Sequence, residues 1–266
     1  MGVASGQPFY MVIFHYFFVG LGVLVLLLAL ARGWLRSYPA AVLYIGTVAL
    51  GDLFFAVVVP LAGIDQTGWT YYYAYYLLTL LQHLCKLAVA IGLYRHFLAG
   101  CPNLKAITDI FLYATLVLAA LLFLFSLDPR GSFLYLAAIH LGRWVYLMLA
   151  VVCVGVLALA RVTRKPLDEP YRLIILAFLV LSLPQALSFT LLAQFYAPFS
   201  VFWSWTGVLS MNLATCLWGW AALKKTVPTS GDSDSFIGRE LSGLLVRLDL
   251  QTGLVLRRLR PLGRAE

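Results

Sequence analysis

Three residues that can carry charge sit deep inside apolar stretches of this sequence: Asp52, Lys86 and Arg143. An ionisable side chain inside a bilayer is costly, so each is a candidate for ligand binding or proton transfer. At 1.5 Å of rise per residue, Asp52 lies roughly 18 Å from the basic end of its stretch and Lys86 roughly 17 Å from the basic end of the next. The two are at one level on consecutive antiparallel helices. Paired charges cost far less than isolated ones, so the expectation is an Asp52–Lys86 ion pair, direct or through water.

Other polar residues fall near that level. His83 precedes Lys86 by three residues and His140 precedes Arg143 by three, a spacing that shares a helix face. Gln185 follows Pro184, and Asn212 sits in the middle of the last apolar stretch. In this layer Asp52 is the one carboxylate against Lys86 and Arg143, so one positive charge is in excess. Three readings stay open: a hydrogen-bonded layer that fixes helix packing, a ligand or ion site, and a proton path. The candidate residues are Asp52, His83, Lys86, His140, Arg143, Gln185 and Asn212.

Several specific chemistries do not fit. A retinal Schiff base needs a mid-helix lysine; Lys86 is in the third stretch, unlike the lysine of rhodopsins. His15, His83 and His140 could hold haem or a metal, but no Cys-x-x-Cys-His, His-Glu-x-x-His or carboxylate cluster accompanies them. A serine hydrolase would need a Gly-x-Ser-x-Gly turn, and Ser188 and Ser210 read instead as helix-packing residues. No phosphate loop or dinucleotide fingerprint occurs. No cofactor and no metal is expected, and an enzyme is the least favoured class.

The elements that must position these residues are seven apolar stretches, at about 9–31, 40–62, 71–98, 106–127, 133–160, 171–192 and 201–223. The chain has 266 residues, 62% hydrophobic and 11% charged. A bilayer core about 30 Å thick needs roughly 20 apolar residues per helix, so these stretches predict an all-α, seven-span bundle with the lipid bilayer as its main partner. The connections after the first, third, fifth and seventh stretches hold Arg32, Arg36, Arg95, Lys105, Arg161, Arg164, Lys165, Arg172, Lys224 and Lys225. The other side holds only Arg130. Basic loops stay inside, so the N-terminus is expected outside and the C-terminus in the cytoplasm, with a bacterial cytoplasmic membrane as the location. The net charge of +8 then sets orientation and meets anionic lipid; nucleic acid is not an expected partner. The first stretch is too long and its start too poor in Lys and Arg for a cleavable leader.

Aromatics gather at the predicted interfaces. Trp69 and Tyr71 to Tyr76 read as an interfacial belt or as the rim of an outer pocket, and Trp203, Trp205, Trp218 and Trp220 read as belts at the two ends of the last stretch. The four cysteines make no disulfide framework, and all read as small apolar fillers. Residues 226–235 read as a flexible hinge. Residues 236–262 carry Ile237, Leu241, Leu244, Leu245, Leu248, Val255 and Leu259 among arginines, the pattern of an amphipathic basic helix. It could lie on anionic lipid or dock a cytoplasmic protein.

Leu35-Arg36-Ser37-Tyr38-Pro39, the Tyr-rich Tyr71 to Tyr76 and Tyr94-Arg95-His96-Phe97 resemble uncharacterised bacterial seven-helix membrane proteins. The layout is also similar to the seven-helix sensor region of some bacterial histidine kinases, although no kinase domain follows the seventh stretch. The resemblance implies membrane sensing or scaffolding and assigns no residue a role. A non-catalytic receptor-like sensor or scaffold is therefore expected first. A small-molecule or ion transporter or channel using the same polar layer is the alternative, and no internal repeat marks it.

Overall fold

The computed structural model describes residues 9–65, 68–98, 106, 109–110, 113, 133–162, 167–195, 200–224, 246–247 and 249–252. The expected fourth stretch and the tail helix fall mostly outside them, and the hinge falls wholly outside. Of the described residues 93% are helical, with no strand among them. The helices are α1 (Phe9–Ala31), α2 (Trp34–Ser37), α3 (Pro39–Leu61), α4 (Trp69–Phe97), α5 (Phe133–Val162), α6 (Glu169–Phe195) and α7 (Ser200–Leu223).

Among the described residues α3, α4, Ala137–Val162 of α5 and Glu169–Leu191 of α6 are each long and apolar enough to cross a membrane. In lipid every backbone N–H and C=O must be satisfied internally, which selects helices for such stretches. The helices' outward faces are apolar: Leu27, Leu43, Leu50, Leu84, Val151, Leu187 and Leu213 are all exposed.

Local chemistry sets the ends. Gly33, with φ of 74°, makes the turn from α1 to α2, a backbone state that costs glycine little. Pro39 opens α3 at a position where the missing N–H has no helical partner to lose. Pro60 lies later in α3, just beyond a π-helical segment, Phe54–Val58. Its ring cannot donate to the carbonyl four residues earlier. That carbonyl, Ala56 O, accepts a hydrogen bond of 3.3 Å from the Tyr16 hydroxyl on α1.

The long helices pack in chain order, α1 on α3, then α4, α5, α6 and α7, and α7 returns to α1. The ring encloses one continuous core. Within it Tyr44 of α3, Phe178 of α6 and Trp218 of α7 pack with ring centroids 5.1–5.7 Å apart. Trp218 is 1% exposed, which corrects its reading as an interfacial belt residue; Trp220, two residues on, takes the exposed position.

At the end of the bundle near Arg95 and Lys224, Tyr38 stacks on Tyr171 and both rings meet His96. The Tyr171 hydroxyl donates to Leu93 O and ties α6 to α4. The Lys224 ammonium pairs with Glu169 at 3.0 Å, joining the end of α7 to the start of α6. Arg95 pairs with Asp109 at 3.3 Å, and the Tyr94 hydroxyl donates to the same carboxylate.

Candidate functional site

The polar residues form two separate groups, and the division follows the rotation of each helix. On α4, His83 and Lys86 lie on the face that also carries Val89, Ala90 and Leu93, so both point into the core; each is 1% exposed. His83 Nε2 is 3.1 Å from Ala138 O of α5. A carbonyl only accepts, so Nε2 carries the proton. Nδ1 is left as an acceptor, and it faces Lys86 Nζ at 3.3 Å. The ammonium also lies 4.2 Å from the centre of the Tyr146 ring and 5.4 Å from that of Tyr44. Desolvated cation–π contacts of this kind are worth about 2 kcal/mol. Tyr146 stacks on Phe189 of α6 at 5.5 Å, which closes the cage.

This arrangement overturns the expected Asp52–Lys86 pair. Asp52 is exposed and has no ion-pair partner among the described residues. The two share a level but face different helices. Asp52 sits on the wall of a narrow cleft between α1, α3 and α7, of about 30 Å³. Phe18 and Gly22 come from α1, and Ile45, Val48, Ala49 and Asp52 from α3. Met211, Asn212, Thr215 and Trp218 come from α7, where steps of three and four place them on one face. The Thr215 hydroxyl donates to Met211 O at 2.9 Å. The Trp218 indole N–H is buried and lacks a hydrogen-bond partner among the described residues.

The remaining candidates are placed elsewhere. Gln185 of α6 is buried and donates from Nε2 to the Ser210 hydroxyl of α7 at 3.3 Å, which in turn donates to Thr206 O at 2.6 Å. This is a packing contact between adjacent helices. Arg143 is half-buried with its guanidinium 5.0 Å from the Trp144 ring, and His140 is half-buried one turn before it. Asp52 and Asn212 meet at the cleft; His83 and Lys86 meet in the cage; Gln185, Arg143 and His140 join neither. Among the described residues no three His, Cys, Asp or Glu side chains gather as a metal site would need.

No family model, curated protein or solved structure matches this chain.

The two groups differ in what they can do. The Lys86 cage is closed on all sides by side chains, so its chemistry is packing and charge burial. The Asp52 cleft joins a carboxylate, an amide, a hydroxyl and an indole N–H to apolar walls, the composition of a binding site. Sequence reasoning missed Tyr44, Tyr146, Thr215 and Trp218. Each had a signal: Tyr44 and Tyr146 are hydroxyl-bearing aromatics in mid-stretch, and Thr215 and Trp218 follow Asn212 at helical spacing.

Proposed function

We propose that this chain is a non-catalytic, receptor-like sensor or scaffold of a bacterial cytoplasmic membrane, crossing it seven times with the N-terminus outside and the C-terminus in the cytoplasm. Seven apolar stretches and the ten-to-one distribution of Lys and Arg support the count and the orientation. Four described helices long and apolar enough to span a membrane support the coarser statement of a helical membrane protein. The observation that carries the receptor reading is the concave, part-polar cleft at Asp52, at mid-depth and beside a filled core. Tyr44, Phe178 and Trp218 pack into the buried core beside it, which supports a site entered from one side over a path through the protein. The segment at 236–262 would report occupancy, on anionic lipid or on a cytoplasmic protein.

Reporter fusions after residue 225 test this. Green fluorescent protein there should fluoresce and alkaline phosphatase there should be inactive. The reverse pair of results removes the orientation and the reporting role of the tail.

A further inference from the structure

Arg143 puts a positive charge on an apolar helix face. It is half-buried, with its guanidinium 5.0 Å from the Trp144 ring. A guanidinium does not shed its proton as a buried lysine can, so in a bilayer it must meet an anion or water. Among the described residues it forms no ion pair: Asp109 is taken by Arg95 and Glu169 by Lys224. Asp52 stands on α3 in a cleft that α5 does not line.

The neighbours of Arg143 define the anion that fits. His140, one turn earlier on the same face, is also half-buried and brings a polar ring. Leu147 and Val151 follow Arg143 at steps of four and are 44% and 63% exposed, so deeper along the helix this face is apolar. Arg143 lies six residues past Ala137, where the apolar run of α5 begins, roughly 9 Å at 1.5 Å per residue. A long side chain covers such a depth by extending its apolar stem toward the interface. The face is therefore cationic near one membrane surface and apolar further in, the same order as the parts of a phospholipid. Guanidinium and phosphate also match in shape, through two parallel N–H···O bonds.

We propose that Arg143 and His140 hold the phosphate of one phospholipid, whose acyl chains run along α5 over Leu147 and Val151. This site is separate from the Asp52 cleft and does not depend on it.

The test is thermal unfolding of the purified full-length protein in a neutral maltoside detergent, followed by tryptophan fluorescence. Dioleoyl phosphatidylglycerol is titrated in, with dioleoylglycerol, which lacks the phosphate, and inorganic phosphate as parallel arms. Phosphatidylglycerol should raise Tm saturably, as a ligand of the folded state does, and the other two should not. Arg143→Gln should raise the half-saturating lipid concentration roughly tenfold, the loss expected for a hydrogen-bonded charged group. If Arg143→Gln does not fold, Arg143→Lys, which keeps the charge and loses the two-bond fork, should raise it severalfold. Arg257→Gln with Arg258→Gln, in the tail, should leave it unchanged. An equal response in wild type and the Arg143 variants overturns the proposal, and so does a response to either control arm equal to that of the lipid. A wild type indifferent to phosphatidylglycerol overturns it as well; a double-mutant cycle that couples Arg143 to Asp128 would then name that carboxylate as the counter-charge.

Discussion

Lys86 holds its ammonium 3.3 Å from Nδ1 of His83, one turn earlier on the same helix, and not against Asp52. The contact fixes the histidine tautomer, because Nε2 already donates to Ala138 O. It also separates the two charges that the sequence places at one depth, leaving the cation in an aromatic cage and the anion in an open cleft.

Energetic independence of Asp52 and Lys86 follows. Asp52→Asn and Lys86→Met should change stability additively, within about 0.3–0.5 kcal/mol, as unconnected sites do. His83→Ala and Lys86→Met should instead couple by at least about 0.5 kcal/mol. Double-mutant cycles on thermal or denaturant unfolding in detergent measure both. Strong coupling between Asp52 and Lys86 would restore the ion pair.

Gly142 is where α5 admits the histidine. A Cβ at this position would lie 2.9 Å from His83 Nε2 and 3.1 Å from Phe189 Cε1. Gly142→Ala should therefore destabilise the protein by about 1–3 kcal/mol, the usual cost of overpacking. Adding His83→Ala should recover part of the loss. A Gly142→Ala protein as stable as wild type would mean that α4 and α5 are farther apart.

Tyr171 ties α6 to the Leu93 carbonyl of α4 through its hydroxyl. Tyr171→Phe keeps the ring stack on Tyr38 and removes one hydrogen bond, leaving Leu93 O its helical one. A loss of about 0.5–1.5 kcal/mol is expected, read as a lower denaturation midpoint with an unchanged slope.

Alkaline pH reports on Tyr38, just before α3. Burial, helped by the charge of Asp168, pushes its phenol up from 10.0 to about 12. A raised pKa favours the neutral form in the folded state. Its contribution is complete below pH 10 and disappears as the pH rises from 10 to about 12. Wild type should lose stability relative to Tyr38→Phe across that window. Parallel curves for the two proteins would show that Tyr38 is solvated.

How much of this was legible in the sequence depends on which coordinate is asked for. The helical architecture of the described residues was legible, because runs such as Phe9–Ala31 and Pro39–Leu61 are long, mostly apolar stretches followed by Arg or Gly. The level of Asp52 and Lys86 came from counting residues. Their facing did not. Rise per residue gives depth, while rotation about the axis depends on neighbours, and on α3 the π segment at Phe54–Val58 interrupts the regular period. Trp218 misled for a related reason: position near a helix end resembles a belt, and only packing against Tyr44 and Phe178 reveals a core residue. His83 beside Lys86 was readable as one face, since a spacing of three needs no tertiary information.

The central claim is that the polar groups divide into a sealed cage at Lys86 and an accessible cleft at Asp52. Thiol labelling tests it most directly. In full-length protein with the four native cysteines replaced by alanine or serine, Asp52→Cys, Asn212→Cys and Lys86→Cys are introduced singly. Each is reacted in membranes with a small cationic methanethiosulfonate. Asp52→Cys and Asn212→Cys should label at least roughly a hundredfold faster than Lys86→Cys, because the cage must open locally before a reagent can enter. Equal rates at Asp52 and Lys86, or an inert Asp52→Cys beside a reactive Lys86→Cys, would contradict the division.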